Sequence, residues 1–343
     1  MHNGAGTCFR KWGGRRVANT MKSDAAALAS KKLNKRKSWT SQFARNYQLH
    51  LFMLIPIAYI IIFNYVPMFG IQIAFKNFTP GKGIWGSPWA GLIHFQTFFK
   101  SYQFKRVIVN TLRISIYSLL VNFPLPIVLA LMLNTVRNAR FKKTVQTVTY
   151  IPYFLSMVVV VGMLVQFLNP MTGVYGTVYR LITKSASYPP SIIQKPGSFI
   201  HLYVWSGVWQ YLGWNSIIYI AALSGVDPQL HEAAQIDGAS RFKRILTVDL
   251  PAIVPTISVL LILNAGSLMS VGFEKVYLMQ NNLNLMQSEV ISTYVYKVGL
   301  TSGMGNFSYA TAIGLFNSII NCTLLVFVNW LSKKTSENST SLW

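Results

Sequence analysis

Acidic side chains are scarce in this sequence. Eight Asp and Glu stand against 31 Lys and Arg in 343 residues, a formal net charge of +23. Charged residues of both signs make up 11%, where soluble domains carry about 25%. So few charges do not cover a water-facing surface of this size; the shortfall is explained if much of the surface faces lipid. The middle of each long apolar run lacks Asp and Glu, which argues against a proton or cation relay, since relays need buried carboxylates. Cysteine is also nearly missing. Cys8 and Cys322 are the two present, which excludes a disulfide framework or a thiolate metal site. The five histidines, His2, His50, His94, His201 and His231, show no ligand spacing. No phosphate-binding glycine loop of the Walker type occurs, so the chain is not expected to hydrolyse ATP or to carry catalytic residues. No internal repeat is apparent.

What the sequence has in abundance is apolar length. Hydrophobic residues make up 52%. Six stretches, near 49–69, 107–134, 145–168, 200–223, 252–273 and 308–331, are long enough to cross about 30 Å of hydrocarbon as helices. The expectation is an all-α membrane protein with six spans, bounded as a transmembrane domain over 47–332, a basic arm over 1–46 and a tail over 333–343. The first run is too long for a cleaved signal, and no small-x-small site follows it. Pro56, Pro124, Pro126, Pro152 and Pro255 sit in or beside the spans. Each removes a backbone donor, giving either tolerated kinks or helices bent around a cavity.

The basic residues are unevenly placed. Eleven of them lie in the first 46 residues. With both termini in the cytoplasm, inside segments hold 20 Lys and Arg and outside loops hold 10, the bias the positive-inside rule requires. Without the arm the bias disappears. This distribution disfavours nucleic acid as a partner, because it places no basic face with stacking aromatics on a folded domain.

One cytoplasmic segment, 227–251, differs from the rest. Asp227 suits an N-cap and Pro228 a first helical position. A short helix from Leu230 to Asp237 is expected, with a sharp turn at Gly238. A second amphipathic piece then runs to Leu250, and Pro251 opens span five. The spacing Glu232-Ala233-Ala234, three residues, Gly238, nine residues, Val248-x-Leu250-Pro251 resembles the EAA loop of binding-protein-dependent ABC importer permeases, with Val248 where that family usually has Ile. The lead-in Ala222-Leu223-Ser224-Gly225-Val226-Asp227-Pro228 and Tyr150-Ile151-Pro152 are similar to the sugar branch, the maltose and glycerol-phosphate permease group with a MetI-like fold. The resemblance covers roughly residues 45 to 332.

That resemblance implies a mechanism and a set of partners. The elbow would dock on a cytoplasmic ATPase through Glu232, Ala233, Ala234, Asp237, Gly238, Arg241, Leu250 and Pro251. Two ATPase subunits would carry the ATP and Mg, leaving this chain without a cofactor. A second, homologous permease would complete the path as a heterodimer. An extracellular solute-binding protein, anchored as a lipoprotein, would deliver cargo at the bacterial cell membrane. The chain particularly resembles permeases of Gram-positive polysaccharide-utilisation systems, which implies an oligosaccharide cargo released from a complex polymer, acidic oligosaccharides included. A disaccharide or glycerol phosphate stays open, and an ion-coupled carrier or a membrane sensor is the alternative from another class.

A sugar needs hydrogen-bonding groups and flat aromatic faces. Span four carries Trp205, Trp209, Tyr211, Trp214, Asn215 and Tyr219; span five carries Asn264, Ser267 and Ser270. Tyr211, Asn215 and Tyr219 recur every four residues and share a helix face. Tyr211, Trp214, Asn215, Tyr219, Asn264 and Ser267 are the candidate path residues, because a membrane amide is costly unless paired or facing a wet cavity. The competing reading is helix–helix hydrogen bonding for Asn and Ser and an interfacial belt for Trp and Tyr.

Overall fold

The computed structural model describes residues 47–184, 187–301 and 305–335. The basic arm 1–46 and the tail from 336 onward lie outside the described residues. The described chain is helical, with one isolated antiparallel bridge between Lys76 and Trp89. It divides into two compact units, 1–69 and 70–343.

The described part of the first unit belongs to helix α1 (Tyr47–Phe75). This run is α-helical over Tyr47–Ile60, widens to a π turn over Ile61–Tyr65 and tightens to 3-10 geometry over Val66–Phe75. Pro67 accounts for the change of pitch, since its ring excludes the carbonyl four residues back. No side chain of Tyr47–Ile60 is buried, as expected of a span whose neighbours are lipid or another subunit.

In the second unit, α2 (Ile93–Lys100) leads into α3 (Tyr102–Asn122), which Ser101 caps by accepting from Phe104 N at 3.2 Å. Pro124 and Pro126 break the run, and α4 (Pro124–Thr135) completes a 34-residue span. Helix α5 (Ala139–Tyr150) continues as a 3-10 turn to Phe154, and α6 (Met157–Phe167) then departs at 100°. The expected straight span over 145–168 is therefore a bent pair. Pro152 ends one helix, and the Ser156 hydroxyl caps the next by accepting from Val159 N.

Helices α7 (Val174–Thr183) and α8 (Phe199–Ser224) follow, then α9 (Pro228–Ile236), α10 (Leu250–Gly266), α11 (Phe273–Met279), α12 (Ile291–Tyr296) and α13 (Phe307–Thr335). By length and apolarity, four helices among the described residues are able to cross a membrane, or five with the bent pair. The sixth expected span, α8, has 26 residues, about 39 Å at 1.5 Å per residue. Its Trp, Tyr, Gln and Asn side chains make it more polar than the other five.

Three apolar clusters position the site. Phe98, Val107, Ile291, Tyr294, Tyr309 and Ile313 join α2, α3, α12 and α13. Ile114, Val161, Phe199 and Val276 join α3, α6, α8 and α11. Ile127, Ala130, Leu131, Tyr219, Leu223 and Ile253 join α4, α8 and α10. Helix α5 approaches α8 so closely at Gly213 that a Cβ there would overlap the Thr149 carbonyl.

Candidate functional site

The elbow forms as a pair of helices around one glycine. The Asp227 side chain accepts from Gln229 N at 2.9 Å and starts α9, with Pro228 in its first turn. The helix ends in a turn closed by Ala239 N to Ala234 O at 2.9 Å. Gly238 adopts φ +74° there, a conformation costly for any residue with a Cβ. Ser240 caps the second arm by accepting from Lys243 N at 3.3 Å.

The second arm differs from expectation. It does not stop at Leu250 but continues into span five as one run, Arg241–Gly266. A π turn over Ile245–Asp249, closed by Leu250 N to Ile245 O, lies just before Pro251. The wide turn lets the helix pass a residue that has no N–H and whose ring needs room. The arm and the span are thereby one lever.

Glu232, Ala233, Asp237, Gly238 and Arg241 are exposed, and Ala234 and Leu250 are partly covered. Pro251, at the start of the span, is also exposed. Three large apolar side chains of the elbow are exposed as well: Leu230 at 54%, Ile236 at 86% and Phe242 at 70%. Behind the elbow lies a polar cleft of about 450 Å³, lined by residues including Asn134, Arg137, His231, Glu232, Arg241, Arg244 and Asp249. Asp249 is its buried centre, 2% exposed. Its Oδ1 accepts from Asn134 Nδ2 at 3.0 Å and lies 3.3 Å from His231 Nε2.

A second cavity, of about 440 Å³, opens between α3, α4, α8 and α10. Five of the six candidate path residues line it: Trp214, Asn215, Tyr219, Asn264 and Ser267. Tyr211 does not; its ring packs against Tyr153, 6.0 Å between centres, although it shares a helix face with Asn215 by sequence spacing. Trp214 stacks on Tyr153 at 4.1 Å with the rings parallel. Asn264 Nδ2 donates to Leu260 O at 2.8 Å, so its donor is satisfied within its own helix. Trp205 and Trp209 face a different, apolar cleft with Val160, Met163, Leu164 and Phe167.

The facing wall was missed by the sequence reading. Ser115, Ser118 and Asn122 of α3 line the cavity. Their spacing of three and four residues is a polar stripe on one helix face, and this was the signal available. The Ser118 hydroxyl and Asn122 Oδ1 have no hydrogen-bond partner among the described residues.

Residues 122–337 match the family of binding-protein-dependent transport system inner membrane components. The chain belongs to this family. As an inner-membrane permease it is a transport component rather than an enzyme, and it works with a binding protein. The permease is 40% identical to Protein LplB of Bacillus subtilis, over 92% of this chain and 97% of that one. It is 42% identical to the polygalacturonan/rhamnogalacturonan transport system permease YteP of the same organism, over 89% and 94%. Among solved structures, a bacterial ABC transporter that imports the acidic polysaccharide alginate superposes with a TM-score of 0.78 at 39% identity, covering 87% of the permease and 99% of that chain. A bacterial alginate ABC transporter in complex with an alginate pentasaccharide-bound periplasmic protein gives a TM-score of 0.78 at 38% identity, covering 88% of the permease and 99% of that chain.

Proposed function

We propose that this permease forms half of a membrane path for an oligosaccharide cut from a larger polysaccharide, and that a separate ATPase drives it through the elbow. The observation that carries the reading is the pairing of an aromatic- and amide-lined cavity with an exposed elbow whose second arm is continuous with a cavity-lining helix. Trp214 offers a flat face for the C–H patches of a sugar ring. Asn215, Asn122, Ser115 and Ser118 offer hydrogen bonds to hydroxyls. Relatives whose names specify transport of polygalacturonan or alginate fit a cargo of this class.

The elbow suits a docking role. Ala233 keeps the surface of α9 low, Leu230 and Ile236 present apolar area, and Glu232 presents a charge to a basic groove. Two ATPase subunits holding ATP and Mg, a second permease subunit distinct from this one, and an extracellular binding protein complete the assembly, with both termini of this chain in the cytoplasm. Co-expression with the ATPase and partner permease, followed by purification and uptake in proteoliposomes supplied with the binding protein, tests the reading. The expected result is a complex that imports oligosaccharide only when ATP is supplied on the elbow side. A chain that purifies without an ATPase and transports under an ion gradient alone would defeat it.

A further inference from the structure

Lys275 stands in the wall behind the cavity with no ion-pair partner among the described residues. It lies on α11 and is 4% exposed. Its Nζ donates to Tyr203 O at 2.9 Å and sits 4.9 Å from the centre of the Tyr203 ring. A Cβ placed on Gly207 would lie 3.3 Å from that Nζ and 3.8 Å from Asn122 Oδ1. The ammonium, the α8 backbone and the Asn122 amide therefore meet at one point. Tyr203, Asn122 and Gly272 all line the cavity.

The charge has little to cancel it. The ion pairs among the described residues join Arg106 to Glu289, Lys297 to Glu289 and His231 to Asp249. Glu274, next in sequence, is exposed and forms no ion pair with Lys275. Every residue lining the cavity is itself uncharged. Burial pushes the Lys275 ammonium down to about 8, which leaves it protonated at neutral pH. A buried cation is costly unless compensated, and here a carbonyl and a ring face supply the compensation without removing the net charge. Its field crosses a thin, poorly polarisable wall that salt screens weakly.

We propose that Lys275 makes this cavity selective for an acidic saccharide, a chain of uronate sugars, by holding one fixed positive charge behind the Tyr203–Asn122 wall. The proposal rests on the cavity being the translocation path. A carboxylate entering the cavity loses water, and the ammonium offsets part of that loss; a neutral sugar gains nothing from it. Because the charge sits behind the wall, it favours entry without forming a direct ion pair that would trap the cargo, the balance a conducting site needs.

The test reads the potential directly in the assembled importer. With Cys8→Ser and Cys322→Ser as background, Ser267→Cys places a thiol in the cavity. Its reaction rates with an anionic and a cationic methanethiosulfonate are compared. Lys275→Met is expected to lower the anionic-to-cationic rate ratio about tenfold, and Lys275→Arg to keep it, as a single charge acting across several ångströms requires. Lys275→Met should also slow import of trigalacturonate while leaving the binding protein's affinity for it unchanged. An unchanged rate ratio in Lys275→Met overturns the proposal, as does a wild-type importer that carries galactotriose but no uronate trisaccharide. A Ser267→Cys thiol that reacts with neither reagent instead overturns the reading of the cavity as a path. If Lys275→Met does not assemble, loss of trigalacturonate import in a folded Lys275→Gln complex decides the question.

Discussion

Asn134 and Asp249, 115 residues apart in sequence, are joined by a hydrogen bond of 3.0 Å from the amide to the buried carboxylate. The same oxygen lies 3.3 Å from His231 on α9. One carboxylate thus ties the first arm of the elbow, the base of span five and the end of α4 together. Motion delivered to the elbow reaches α4 through this tie as well as through the chain itself. Helix α4 carries Pro126 into the cavity wall, next to Phe123 and Asn122. Asp249→Ala should therefore uncouple the importer: ATP hydrolysis persists while cargo import falls severalfold. The loss of a buried, charge-assisted bond is worth about 1.5–3 kcal/mol. The exchange Asn134→Asp with Asp249→Asn should restore part of the coupling. The ratio of ATP hydrolysed to cargo imported is the quantity to measure, and an unaltered ratio in Asp249→Ala would sink the idea.

Gly238 supports a separate prediction. At φ +74° a Cβ costs about 1–2 kcal/mol, although nothing lies within 4 Å of the place it would occupy. Gly238→Ala should open the turn without blocking it, and Gly238→Arg should combine that strain with a bulky charge on the docking face. Retention of the ATPase on the purified permease should drop modestly for the first and sharply for the second. Glu232→Ala, on an exposed position, should weaken retention without altering the thermal stability of the permease.

Gly213 tests packing rather than coupling. A Cβ there would overlap the Thr149 carbonyl and crowd the Tyr150 ring, so α5 would have to move away from α8. Overpacking of this kind costs about 1–3 kcal/mol. The detergent-solubilised Gly213→Ala permease should unfold at lower temperature than the wild type, whereas Gly162→Ala, with open space at its Cβ position, should not.

Much of this was legible in the sequence, for identifiable reasons. The elbow was readable because its cap, its turn and its spacing are local chemistry: Asp227, Pro228 and Gly238 act on their immediate neighbours. Its second arm was misjudged because Pro251 reads as a helix start, and only the π turn over Ile245–Asp249 shows how a helix passes it. The bend at Leu155 was missed because an apolar run has the same composition whether straight or folded. Tyr211 was assigned to the cavity by its spacing from Asn215, but the approach of α5 at Gly213 gives its ring a partner in Tyr153, and no local pattern encodes that approach.

The two asparagine-bearing walls of the cavity should respond differently to substitution. Asn264 already donates to Leu260 O within its own helix, so its amide has less left to offer a sugar. Asn122 lines the cavity together with Asn215, and its Oδ1 is buried without a partner among the described residues. An amide that bonds cargo contributes about 0.5–1.5 kcal/mol, or up to roughly tenfold in rate. Asn122→Leu should therefore lower the initial rate of oligosaccharide uptake by close to that factor, and Asn264→Leu by much less. Both variants keep the number of side-chain heavy atoms and add the same bulk at each position, so the contrast between them reports hydrogen bonding rather than a change of cavity size. Initial uptake rates in proteoliposomes, with ATPase activity followed in parallel, provide the comparison. Equal losses in the two variants would mean that the α3 wall does not contact the cargo.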